Sequence, residues 1–171
     1  ERGGLLFSWY GGEGANGKFL DHWTTKWTAI EGARDYFNKI TEELVDPDKL
    51  TKSPNPFLRA IGNSYRAYTK ALTERNRVDF AHLQKYLYDL LKDPDIAGGI
   101  TRNIKFVMVD EYQDTNYIQE QILLKLTETT RNLCVVGDED QSLYRFRGAT
   151  VRNILEFTEH VPDAKVEKLV T

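Results

Sequence analysis

Two short apolar runs, each broken off by acids, constrain this chain more than anything else in it. Ile104-Lys105-Phe106-Val107-Met108-Val109 is too short for a helix and leads into Asp110-Glu111. Leu133-Cys134-Val135-Val136 leads into Gly137-Asp138-Glu139-Asp140, with Gly137 free to make a sharp turn. Elsewhere in this half the apolar period is helical: Ile118, Ile122, Leu123 and Leu126 in one stretch, then Val151, Ile154, Leu155 and Thr158, stopped by Pro162. Val166 to Val170 is a third candidate strand. Strands alternating with helices predict a parallel sheet covered on its faces, with ligands held at the carboxyl ends of its strands. Both acidic clusters fall at such ends.

The preceding sequence has the period of helices. Ile30, Ala33, Phe37, Ile40 and Leu44 mark one apolar face. Asn55 offers a cap with Pro56 at the first helical position, and Phe57, Ile61, Tyr65, Tyr68 and Leu72 follow on one side. Phe80, Leu83, Leu87, Leu90 and Leu91 predict a third amphipathic helix. Aromatics at this spacing read as core. The proline-rich stretch from Asp46 to Pro56 reads as a connecting loop, and Asp93-Pro94-Asp95-Ile96-Ala97-Gly98-Gly99 as a second break. The expected division is a mostly helical subdomain over residues 1–100 and part of an α/β domain over 101–171.

With 171 residues, 40% of them hydrophobic, the chain can bury one core or two small ones, and it is neither disordered, collagen-like nor disulfide-stapled. Its lone cysteine, Cys134, reads as a small buried hydrophobe in a reduced interior. No apolar stretch approaches the ~20 residues of a membrane span, and Leu5-Leu6-Phe7 is too short a core for a signal peptide, so the expected location is cytoplasmic. The chain opens on Glu1 rather than Met, which suggests a piece of a longer protein. His22, His82 and His160 are scattered, without the spacing of a zinc site.

The net charge is −3, but it is unevenly spread. Arg59, Arg66, Lys70, Arg75 and Arg77 meet only Glu74 within their own stretch of sequence. Such a stripe can bind phosphate, or it can be an ordinary solvated helix face.

The strongest chemical signal is Asp110-Glu111 directly after an apolar strand. The first acid suits Mg²⁺, which takes one or two carboxylates, waters and substrate phosphates; the second suits a general base orienting water toward a γ-phosphate. The plainer reading, acids complementing the dipole of the following helix, fits Asp114 better. In the second cluster Gln141 can hydrogen-bond a phosphate oxygen or an attacking water. Tyr144, Arg145, Phe146 and Arg147 then interleave rings with cations, a mixture suited to single-stranded nucleic acid.

These residues carry a resemblance. Asp110-Glu111-Tyr112-Gln113-Asp114-Thr115-Asn116 resembles motif II of the UvrD/Rep/PcrA-type superfamily 1 DNA helicases. Val136-Gly137-Asp138-Glu139-Asp140-Gln141-Ser142-Leu143-Tyr144-Arg145-Phe146-Arg147-Gly148-Ala149 resembles their motif III, and Val78-Asp79-Phe80 is similar to the family's Asp-Phe segment. The resemblance is strong over residues 78–171, moderate over 56–77, and weak or absent over 1–55. It implies a partial P-loop NTPase (RecA-like) parallel sheet, preceded by the helical subdomain inserted in the first motor domain. It implies ATP and Mg²⁺, with Asp110 on the metal, Glu111 as catalytic base and Gln141 sensing the γ-phosphate with help from Arg147. Tyr144, Phe146 and Arg147 would meet DNA, with Phe146 standing where the family usually stacks a tryptophan, and Arg66 and Lys70 would add contacts from the helical part. Translocation would run 3′→5′.

Gly12-Glu13-Gly14-Ala15-Asn16-Gly17-Lys18 approaches a phosphate loop, but Phe19 lacks the hydroxyl that binds Mg²⁺, and the stretch reads as a surface loop. Without a phosphate loop, and ending at Thr171 where the family's Asn-Tyr-Arg motif is expected, residues 1–171 are expected to hydrolyse no ATP. Partners would then be DNA, ATP and the remaining helicase domains. Two other classes remain: a non-catalytic helicase-like module that binds DNA or protein, and a metal-dependent nuclease built on Asp110, Glu111 and Asp114. The second leaves Gln141 and the Tyr-Arg-Phe-Arg run without a role.

Overall fold

The computed structural model describes residues 26–138 and 156–168. The candidate residues Gln141, Tyr144, Phe146 and Arg147, the Gly12–Lys18 loop, and most of the helix expected from Val151 lie outside the described residues. The chain divides into two compact units, Glu1–Leu87 and Tyr88–Thr171.

In the first unit, helix α1 spans Lys26–Glu42, α2 Pro47–Thr51 and α3 Pro56–Glu74, and α4, Phe80–Leu90, begins there. α3 starts where the sequence places it. The Asn55 side chain accepts from the backbone N–H groups of Phe57 and Leu58 at 2.9 and 3.3 Å, and Pro56 occupies the first turn. The expected loop before it contains α2, because Asp46 caps Asp48 in the same way and Leu50 supplies a buried anchor. α2 lies hard against α3 at Gly62, where a β-carbon would come within 2.8 Å of the Leu50 β-carbon.

Tyr36, Ile40, Leu50, Ile61 and Tyr65 form the core of this unit, flanked by Phe37, Val45, Phe57 and Leu58. The buried face of α1 is therefore carried by Tyr36, Ile40 and Thr41, not by Ile30, which is exposed, nor by Leu44, which lies beyond the helix. The rings interlock: Phe37 stacks on Tyr68 at 5.0 Å and meets Tyr65 edge-on at 5.8 Å.

A buried polar chain runs through the same region. The Thr41 hydroxyl lies 3.0 Å from that of Tyr65, which is 3.4 Å from His82 Nε2. The His82 Nδ1 and backbone N–H lie 2.9 and 2.7 Å from Asp79 Oδ1, and the Tyr68 hydroxyl donates to Asp79 Oδ2 at 2.6 Å. Burial works to raise the Asp79 carboxyl, but these hydrogen bonds and His82 hold it below its usual value. Burial and Asp79 push the Tyr68 hydroxyl up to about 12.

This anchor sets the rotation of α4 and turns much of its expected apolar face outward. Ala81 and His82 are buried, whereas Phe80, Leu83 and Leu90 of the apolar face are exposed, Phe80 by 87%; of that face only Leu87, half-buried, and Leu91, buried just past the helix, lie inward as expected.

In the second unit, α5 spans Pro94–Thr101, so the expected break is another helix start, with Asp93 capping Asp95 and Ile96 ahead of Pro94. Strand β1, Val107–Val109, pairs in parallel with β2, Leu133–Val135, through α6, Tyr117–Thr127; Met108 stands opposite Cys134. The parallel pairing is as the sequence predicts. A short α7, Phe157–His160, ends before Pro162, and residues 166–168 of the third candidate strand form none. The architecture described is mostly helical with a small two-stranded parallel sheet.

Two expectations of burial fail in this sheet. Cys134 is exposed, and so is Met108 by 79%. Alternation puts them with Phe106 and Val136 on one face of the ribbon, and that face is open among the described residues; Val107, Val109, Leu133 and Val135 take the half-buried one.

Candidate functional site

The parallel register brings both strand ends to one edge. Val136 N–H donates to Val109 C=O at 2.8 Å and Tyr112 N–H to Val136 C=O at 2.9 Å, so the pairing continues past the strands into the acid-bearing turns. Asp110 and Glu111 leave β1 exposed to solvent. The strand carrying them is itself half-exposed, not hidden as the sequence suggests.

Local geometry fixes the backbone here. Asp110 Oδ1 accepts the Glu111 N–H at 2.9 Å. Glu111 adopts a left-handed conformation, φ 51° and ψ 44°, which for a residue with a β-carbon costs of order 1 kcal/mol and needs support from its surroundings. A single 3₁₀ turn, Tyr112–Asp114, follows, with Asp114 N–H donating to Glu111 C=O at 2.9 Å. Helix α6 then begins with a reciprocal cap: Asn116 accepts from the Gln119 N–H and Gln119 from the Asn116 N–H, each at 3.0 Å.

Two buried side chains hold the turn. Gln113 donates from Nε2 to Glu111 Oε2, and its Oε1 accepts the Asp138 N–H at 3.0 Å. One carboxamide thus joins the acid after β1 to the backbone leaving β2. On the other side Tyr112, fully buried, donates to Glu120 Oε1 at 2.9 Å and meets Phe157 edge-on at 5.4 Å. Burial, then Glu120, pushes the Tyr112 hydroxyl far up from its usual value. Glu120 Oε1 also lies 3.1 Å from His160 Nδ1, while its Oε2 is buried with no partner among the described residues.

Of the candidate residues, Asp110 and Glu111 are therefore brought to the exit of β2, the strand that leads toward Gln141. Asp110, Glu111 and Asp114 do not form a group of three able to hold a metal ion. In the first unit, Arg66 and Lys70 lie one turn apart on α3. Both are exposed and both are engaged: Arg66 with Asp48, Lys70 with Glu74 at 3.7 Å. The stripe faces an acid from α2 that its own window of sequence does not contain. Gln113 and Glu120 are the residues that sequence reasoning passes over. Gln113 sits inside the acidic motif, and its spacing from the acid was the available signal; Glu120 has none, since its partners are 8 and 40 residues away.

Acid-tipped parallel strands joined through a helix are an α/β arrangement, and in such sheets ligands are generally held at the carboxyl ends of the strands. The chain belongs to the UvrD/REP helicase N-terminal domain family, whose model matches residues 17–162. It is 38% identical over 140 residues to the ATP-dependent DNA helicase UvrD1 of Mycobacterium tuberculosis, a match covering 75% of this chain and 18% of that protein. It is 37% identical over 126 residues to the ATP-dependent DNA helicase PcrA of Bacillus subtilis, covering 72% and 17%. The chain thus spans less than a fifth of the length of these relatives. No described helix is long and apolar enough to cross a membrane.

Proposed function

We propose that this chain is part of the first motor domain of an ATP-dependent DNA helicase or translocase. Residues 1–100 form its inserted helical subdomain, and 101–171 form part of a P-loop NTPase (RecA-like) sheet. The observation that carries the reading is the junction at the strand ends, where Gln113 ties Glu111 to the Asp138 backbone. An acid pair and the segment leading to a phosphate sensor need to share one edge for a nucleotide to meet both.

Asp110 is exposed at the strand tip with Oδ1 engaged by a backbone N–H, which leaves Oδ2 for a cation that prefers few carboxylates. It would hold Mg²⁺, whose charge offsets that developing on the β- and γ-phosphates of ATP. Glu111 accepts the proton of the attacking water and orients it in line with the bond to be broken. Gln141 reads the γ-phosphate, supported by Arg147, and Tyr144, Phe146 and Arg147 hold a single DNA strand by stacking and charge. Arg66 and Lys70 add phosphate contacts from the helical subdomain. DNA, ATP and the remaining helicase domains are its partners.

The test is steady-state hydrolysis in a longer protein that supplies a phosphate loop and second motor domain. Glu111→Gln is expected to lower kcat by about 10²–10⁴-fold while ATP still binds. Unchanged kcat would overturn the role of Glu111. Residues 1–171 alone are expected to show no turnover. Mg²⁺-dependent hydrolysis by them that vanished in Glu111→Gln would instead make Lys18 a working phosphate-loop lysine.

A further inference from the structure

Resting on the base assigned to Glu111, we propose that Gln113 is a positioning residue, which fixes the Glu111 carboxylate relative to the exit of β2. Gln113 is 2% exposed and uses both ends of one planar amide, donating to Glu111 Oε2 and accepting from the Asp138 N–H at 3.0 Å. No other side chain of this length can do both. A glutamate offers no donor to Glu111 and adds a second negative charge beside it; a leucine leaves both partners unmet.

The Glu111 backbone is already fixed by its left-handed conformation, by Asp110 Oδ1, and by the Tyr112 N–H bonded to Val136. What remains free is rotation of the Glu111 side chain, and Gln113 removes it. Because the same amide holds Asp138, any movement of the turn after β2 is transmitted to the carboxylate. The base is thereby oriented, through Gln113, by the Asp138 backbone that follows the second strand.

The test needs no turnover. In the isotopically labelled 171-residue chain, the Gln113 side-chain amide protons are expected to exchange with solvent roughly tenfold more slowly than those of an exposed glutamine. In Glu111→Ala, a change at an exposed site, that exchange is expected to quicken roughly tenfold while the rest of the spectrum is kept. In Gln113→Asn, too short to span both partners, exchange of the Asp138 amide proton is expected to quicken roughly tenfold, equivalent to about 1.4 kcal/mol for a lost hydrogen bond. Gln113 amide protons that exchange as fast as those of an exposed glutamine, or an exchange rate unchanged in Glu111→Ala, overturn the proposal. Either result leaves the hydrolytic role of Glu111 to its own kcat measurement, so the two readings fail separately.

Discussion

The helical unit and the sheet-bearing unit achieve order in opposite ways. In the first, Tyr36, Ile40, Leu50, Ile61 and Tyr65 make one contiguous apolar cluster, and the polar groups within it are linked in a chain from Thr41 to Asp79. In the second, Phe106, Met108, Cys134 and Val136 stay open on one face of the ribbon, and precision sits instead in hydrogen bonds around the turn after β1. A helix satisfies its own backbone and needs only one buried stripe, whereas a two-stranded ribbon has two faces to cover. The candidate chemistry lies where polar bonding, added to the burial of Tyr112, sets the geometry.

That contrast can be broken by measurement. Ile40→Ala, cutting the helical core, is expected to destabilise the chain by about 2–5 kcal/mol in urea unfolding followed by circular dichroism. A loss below 1 kcal/mol would mean the cluster is not a working core. Gly62→Ala forces α2 off α3 and is expected to lower stability by about 1–3 kcal/mol; an unchanged midpoint would place α2 elsewhere.

A pH series sharpens the comparison. Burial pushes the Glu42 carboxyl from 4.5 up to about 7, opposed by Lys39 and reinforced by Glu43 and Asp79. A raised folded value means the contribution is fully present below 4.5 and is lost as pH rises through about 7. Glu42→Gln is expected to flatten the stability profile over that interval, and a profile identical to the parent's would refute the burial of this acid. Asp79, held low, has the opposite sign: its contribution is present above its ordinary value and disappears as acid protonates it.

The smallest effect belongs to the open face. Met108→Ser is expected to change stability by less than about 0.5 kcal/mol. A loss several times larger would show that face to be covered and would erase the distinction between the two units.

How far the sequence could be read follows from the range of each interaction. Asn55-Pro56, Asp46-Pro47 and Asp93-Pro94 are the same helix-starting device, a capping side chain before a proline at the first turn. Only the first precedes a long apolar period, so the other two look like breaks, although each opens a helix. The parallel strands and their shared edge were legible because β-branched runs and terminal acids are local signals. The rotation of α4 was not, since it is set by Asp79 and His82 meeting Tyr65 and Tyr68 from another helix. Nor was the exposure of Cys134, because an apolar run predicts a strand without saying which of its faces is covered. At the site, Asp110 and Glu111 announce themselves, while Gln113 acquires its part only when Asp138 arrives beside it from 25 positions downstream.

The left-handed backbone at Glu111 sets stability and reactivity against each other. Conformation alone would favour glycine there, and only the carboxylate justifies an acid. In a longer protein that hydrolyses ATP, Glu111→Gly should therefore relax this turn of backbone while silencing turnover, so a screen for robust expression and a screen for turnover would pull this position in opposite directions.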